Sequence, residues 1–157
     1  MKIIKSKKVK SAILVWIISV LLLSCTTFKT ALYNQYSIER SISLKVEALE
    51  LMNEATEPYT EHIEEIKNYL KEFQKLEAYE KNRENNELSY EMLQRIGNPE
   101  NNLLGGFLKR WKEKRTISKV MVTASKEQIS DAFDLLIKYE SKKNKKNKEE
   151  ISKYLTN

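Results

Sequence analysis

The sequence predicts an all-α fold, a helical bundle of two long antiparallel helices joined by one or two short bridging helices. Three observations predict it. From Ile38 onward, apolar residues recur at alternating three- and four-residue steps, the spacing of one helix face. The 157 residues include only three Gly and two Pro, well below the usual shares of about 7% and 5%, so tight turns are few. No run alternates apolar and polar residues with period two, as a half-buried strand would. There is no internal repeat.

The first element is an address. Lys2, Lys5, Lys7, Lys8 and Lys10 make a positively charged start without an acid. Residues 11–23 (SAILVWIISVLLL) are apolar apart from two serines. Thirteen residues are too few for a spanning helix, which needs about 20. A charged start, a short apolar run and a small residue before a cut site describe a secretory signal, with a short uncleaved anchor as the other reading. The run ends in Leu22-Leu23-Ser24-Cys25, which resembles the lipobox of bacterial lipoproteins. The resemblance implies cleavage before Cys25 and acylation of its thiol, so that the membrane is a partner through an N-terminal lipid such as palmitate. Thr26 follows the cysteine in place of Asp. By the same resemblance that favours an outer membrane, facing the periplasm, in a diderm cell. In a monoderm cell the anchor implies the outer face of the plasma membrane. The domain boundaries expected are a signal over 1–24, the lipidated Cys25 and a tether over 25–37, a helical domain over 38–140 and a lysine-rich flexible tail over 141–157.

The first long helix is read from Ile38 to the polar run 81–86. Ile42, Leu49, Met52, Tyr59, Ile63, Ile66, Leu70 and Phe73 form its seam, with Lys45 and Thr56 filling the gaps and Val46, Leu76 and Tyr79 widening it. Pro58 interrupts the seam. It marks either a kink or a fresh start capped by Thr56. A short helix capped by Ser89 follows and ends at Gly97. After the loop 98–102, Leu103, Leu104, Phe107, Leu108 and Trp111 share one face of a second short helix. The last long helix begins between Thr116 and Ser125, where Ser125 and Gln128 fit a capping box, and runs to about Lys143. Ile129, Ala132, Phe133, Leu136 and Ile137 are its core face. Beyond Ser141 the chain is too polar to bury.

Charge and composition exclude several functions. The chain has 28 bases and 22 acids, a net charge of +6. The excess lies at the two ends, and residues 25–140 hold 17 bases against 20 acids. No nucleic-acid partner is expected from a core of that sign. One Cys excludes a disulfide framework and a multi-thiolate metal site. The one His, His62, shares a helix face with Glu65. A di-iron bundle, however, needs paired Glu-x-x-His motifs, so a solvated acidic face is the better reading. No nucleophile elbow and no phosphate loop occur. The expectation is a non-enzyme without cofactor, metal or evident small-molecule substrate.

The segment 103–115 (LLGGFLKRWKEKR) is the most distinctive of the mature chain. A basic amphipathic helix carrying Trp reads as a partner-binding or interfacial element. Its candidate contact residues are Lys109, Arg110, Trp111, Lys112 and Arg115, although Phe107, Leu108 and Trp111 could equally close the core. Gly105 and Gly106 suggest a bend or a close backbone approach. The eight tyrosines include Tyr59, Tyr69, Tyr79 and Tyr139 at helical spacing, read as boundary residues with buried rings and wet hydroxyls. Together with Thr56-Glu57-Pro58-Tyr59, the stretch 104–112 also gives the mature part a loose resemblance to small uncharacterised bacterial envelope lipoproteins, which implies no activity. The function expected is a lipid-anchored envelope protein whose helical domain binds another envelope protein as an adaptor, assembly factor or immunity-type inhibitor. The alternative is a structural or membrane-surface element that touches lipid headgroups through 103–115 and the basic tail.

Overall fold

The computed structural model describes residues 32–156; the stretch expected to be a signal and lipobox, with Cys25, lies outside them. Six α-helices pack together, and no strand occurs among the described residues. They are α1 (Gln35–Asn53), α2 (Ile63–Lys81), α3 (Glu87–Gly97), α4 (Leu104–Lys114), α5 (Lys119–Ser141) and α6 (Lys145–Thr156). The all-α class holds. The arrangement has three long helices where two were expected, because Pro58 marks a fresh start, one of the two readings it allowed, and not a kink in a single helix.

At Pro58 the chain reverses. Short 3-10 turns, Glu54–Thr56 and Tyr59–Glu61, flank the proline, which has no N–H to continue a helical ladder. The new helix folds back on the old one. Tyr69 OH donates to Leu44 O at 3.2 Å, Arg40 pairs with Glu72 at 2.7 Å, and Asn34 Nδ2 donates to Tyr79 OH at 2.8 Å. The α5 helix then runs antiparallel to α1, with Lys126 donating to Asn53 Oδ1 and Lys45 paired with Asp134, each at 2.6 Å.

The reversal changes which residues face inward. Leu44, Ala48, Leu51 and Met52 fill the α1 side, while Ile42 and Val46, expected in or beside the seam, are exposed. On α2 the core residues are Ile66, Tyr69, Phe73 and Leu76; Ile63 and Leu70 are only half-buried. The α5 face is as expected at Ile129, Ala132, Phe133 and Leu136, with Ile137 half-buried. Two caps were misread. Ser118, not Ser125, caps α5 by accepting from Met121 N, and the helix runs unbroken through Ala124. Ser89 lies inside α3 and is buried.

Two further findings shape the ends of the bundle. The segment expected to be a flexible tail folds as α6 against α3 and α5, because its few apolar residues recur at helical spacing. Ile151 is fully buried there, Arg95 donates to Leu155 O at 3.0 Å, and Lys138 pairs with Glu150 at 2.6 Å. Where α1 begins, a buried polar network closes the bundle. Arg83 meets Glu80 at 2.7 Å and Glu140 at 3.2 Å, and donates to Ser37 Oγ and to Leu32 O, each at 2.8 Å. Lys143 pairs with Glu140 at 2.7 Å, while Asn86 donates to Glu80 and Ser89 to Glu140. Two buried carboxylates thus meet two cations, the condition under which buried charge is tolerated.

Candidate partner-binding site

The two turns around Pro58 are held by α4. Helix α4 lies close to the end of α3 and the loop that follows it because two glycines stand in its first turn: a Cβ on Gly105 would collide with the carbonyl of Gly97, and one on Gly106 with that of Asn101. The close backbone approach expected of this pair is what the structure contains. Leu104, Phe107, Leu108 and Trp111 then face the core.

Trp111 is the keystone. It is fully buried, its Nε1–H donates to Glu57 O at 2.9 Å, and its ring meets Tyr59 edge-on at 5.5 Å. His62 lies against the same indole, also at 5.5 Å. Two backbone bonds complete the seam: Tyr59 N to Arg115 O at 2.8 Å and Ile117 N to Ala55 O at 2.7 Å. Arg115 closes α4 with φ +69°, a left-handed value that a side chain adopts at a cost.

This seam leaves an open groove of about 780 Å³. Pro58, Tyr59, Thr60 and Ile63 form one wall and Lys112, Lys114, Arg115 and Thr116 the other. All three cations are exposed, and no ion pair holds them among the described residues. They therefore crowd their positive charge beside a half-buried ring and an isoleucine side chain, with nothing of opposite sign committed to them.

The five sequence candidates do not act together. Lys112 and Arg115 line the groove. Trp111, expected as a contact residue, is core and has no surface to offer; the demand of four apolar α4 residues for burial decides this. Lys109 is turned to Glu100 at 2.8 Å, and that hydrogen bond raises its pKa. Arg110 is half-buried and rests 3.7 Å from Met121 Sδ. Sequence reasoning missed Lys114 as a site residue, and Pro58, Thr60 and Ile63 as its opposite wall. No local pattern joins positions about 50 residues apart, so only the packing of Trp111 reveals them.

His62 is not solvated as expected; its side chain is 13% exposed. Its Nε2 faces Glu57 at 3.0 Å and its Nδ1 faces Glu65 at 3.3 Å. Partial burial opposes the charge on the ring, but the hydrogen bonds and charges of the two glutamates outweigh it and raise the pKa. Glu54, Glu57 and His62 bring one ligand atom each within 4.8 Å of one another. When protonated, the ring donates to Glu57 on one side and Glu65 on the other, an ion pair that fixes the turn and engages both ring nitrogens.

No family model matches the chain, and neither a curated protein nor a solved structure matches it.

Proposed function

We propose that the chain is a lipid-anchored cell-envelope protein whose non-catalytic helical domain binds another envelope protein, in an adaptor, assembly or immunity-type role. The anchor half of this reading rests on the lysine-rich start, the apolar run 11–23 and Leu22-Leu23-Ser24-Cys25. One observation supports the binding half: three cations that make no ion pair among the described residues, Lys112, Lys114 and Arg115, stand over an apolar wall on a braced backbone.

That chemistry fits an acidic segment that also presents an aromatic or aliphatic side chain. The apolar group would displace water from Pro58, Tyr59 and Ile63, and the acids would meet the cations. Charge of this kind governs specificity and encounter rate more than raw affinity. The alternative use of 103–115 as a lipid-contacting helix is weakened, since the apolar face it would need is inside the core.

The test uses the full-length chain crosslinked in intact cells. The variant Lys112→Glu/Lys114→Glu/Arg115→Glu should melt like the parent, since exposed charges contribute little, remain in the membrane fraction and lose the captured partner. Cys25→Ala should lose metabolic labelling by an alkyne fatty acid. Capture undiminished by the charge reversal would contradict the groove, and label retained without Cys25 would contradict the anchor.

A further inference from the structure

The end of the bundle opposite the groove carries a second surface of different character. Large apolar side chains that remain exposed gather where the chain enters the domain: Leu32 is 86% exposed, Tyr33 63%, Tyr36 44% and Tyr79 37%. Of the others, Ile42 and Val46 lie midway along α1, and Val120 and Met121 lie at the groove end. Tyr36 and Tyr79 meet edge-on at 4.8 Å, so two of the rings form one platform. Arg83 lies 5.9 Å from the centroid of the Tyr79 ring, and both rings keep an open side.

This platform is rigidly placed. Asn34 caps α1 by accepting from Ser37 N at 2.9 Å and donates to Tyr79 OH at 2.8 Å. Arg83 donates to Leu32 O at 2.8 Å from within the buried network. The loop between α5 and α6 borders the same end; Lys142 in that loop and Lys146 in the first turn of α6 are exposed and free of ion pairs among the described residues. Glu84 and Glu87, ahead of and at the start of α3, are exposed there too, so the end is not strongly basic. Its aromatic content sets it apart.

The chain that precedes the platform says what covers it. Cys25 stands seven residues before Leu32, a span of at most about 25 Å even when fully extended. The groove lies beyond the far end of α1, whose 19 residues measure about 28 Å. A lipid on Cys25 therefore holds this end, and not the groove, at the membrane. Tyrosine is the side chain that suits such a boundary, with an apolar ring for the acyl region and a hydroxyl for the headgroups.

We propose that Leu32, Tyr33, Tyr36 and Tyr79 form a membrane-resting face that seats the domain on the phospholipid headgroup layer, with Lys142 and Lys146 turned to anionic headgroups. The inference rests on the lipid-anchor reading. It adds an orientation: the domain is held by its entry end and presents the Lys112–Lys114–Arg115 groove away from the bilayer.

The experiment uses the full acylated chain in vesicles of phosphatidylethanolamine and phosphatidylglycerol whose acyl chains are brominated near the headgroup. Tyr36→Trp places a reporter on the proposed face. Val120→Trp, at a position 82% exposed, places one at the groove end, and the parent supplies the background emission of Trp111. The Tyr36→Trp reporter should lose most of its added emission to bromine quenching, and the Val120→Trp reporter should keep its own. Equal quenching of the two, or quenching of Val120→Trp alone, in protein that floats with the vesicles overturns the face while leaving the anchor intact. Protein that does not float with the vesicles overturns the anchor, and the face with it.

Discussion

At the scale of single residues, Trp111 carries more of the architecture than any other side chain. It joins α4 to the Glu57 carbonyl and to Tyr59 and His62 at once. Trp111→Ala should destabilise the domain by about 3–5 kcal/mol, the usual cost of deleting a large buried aromatic, as read by thermal or urea denaturation. Arg115 behaves differently. Its φ of +69° costs an L-residue about 1–3 kcal/mol, while a glycine there gives up about 1 kcal/mol of chain entropy. Arg115→Gly should therefore melt no lower than the parent yet weaken partner capture, which separates the backbone of this position from its charge. His62 adds a pH dependence. Its folded pKa is raised, so the folded state holds the proton more tightly than the unfolded chain does. The resulting stability is fully present below the ordinary value of about 6.5 and is lost as pH rises through the folded value. The deficit in melting temperature of His62→Gln should be largest near pH 5 and should shrink through neutrality, roughly as the imidazolium is lost. A deficit independent of pH would contradict the Glu57–His62–Glu65 ion pair.

Among the elements, α5 and α4 were legible because each has a dense apolar face with a clear period. Ile129, Ala132, Phe133 and Leu136 on one, and Phe107, Leu108 and Trp111 on the other, are buried as their spacing requires. The α1 face was read correctly at Met52 but out of phase ahead of it. Its inward positions include Ser37, Ser41 and Ala48, small residues that permit close packing but leave no hydrophobic signal, while Ile42 and Val46 advertise a face that stays in water. The reversal at Pro58 could be suspected from the proline. Its direction depends on Trp111 and Arg115, which lie far along the chain. The α6 helix was hidden by composition: nine charged and polar residues surround Ile151, Tyr154 and Leu155, which dock it with Ile151 fully buried and the other two packed beside it. Ile151→Ala should cost about 2–5 kcal/mol, whereas a frayed tail would show no change. Gly105→Ala tests the other close contact, where a backbone carbonyl cannot yield as a flexible side chain would. Overpacking of this kind costs about 1–3 kcal/mol or more, seen as a lowered urea midpoint.

Across the whole molecule, charge and apolar surface are sorted by position. The groove at the Pro58 end is basic, and a cleft between α1 and α2 is lined by Glu47, Glu50, Glu65 and Glu72 beside Leu51 and Tyr69. Surfaces of opposite sign on one domain give an approaching partner a single register, since a rotated partner would bring like charges together. The chain enters the described domain at the opposite end, where Arg83 and Glu140 tie Leu32 and Ser37 to α2 and α5. The account we propose is of a domain held at one end and binding with the other. Photo-crosslinking in intact cells, with a benzophenone amino acid placed at Lys112 of the full-length chain, tests this most directly. The account predicts a discrete protein adduct that disappears when Lys114 and Arg115 are changed to Glu. An adduct to phospholipid, or one to protein that survives the charge reversal, would contradict it.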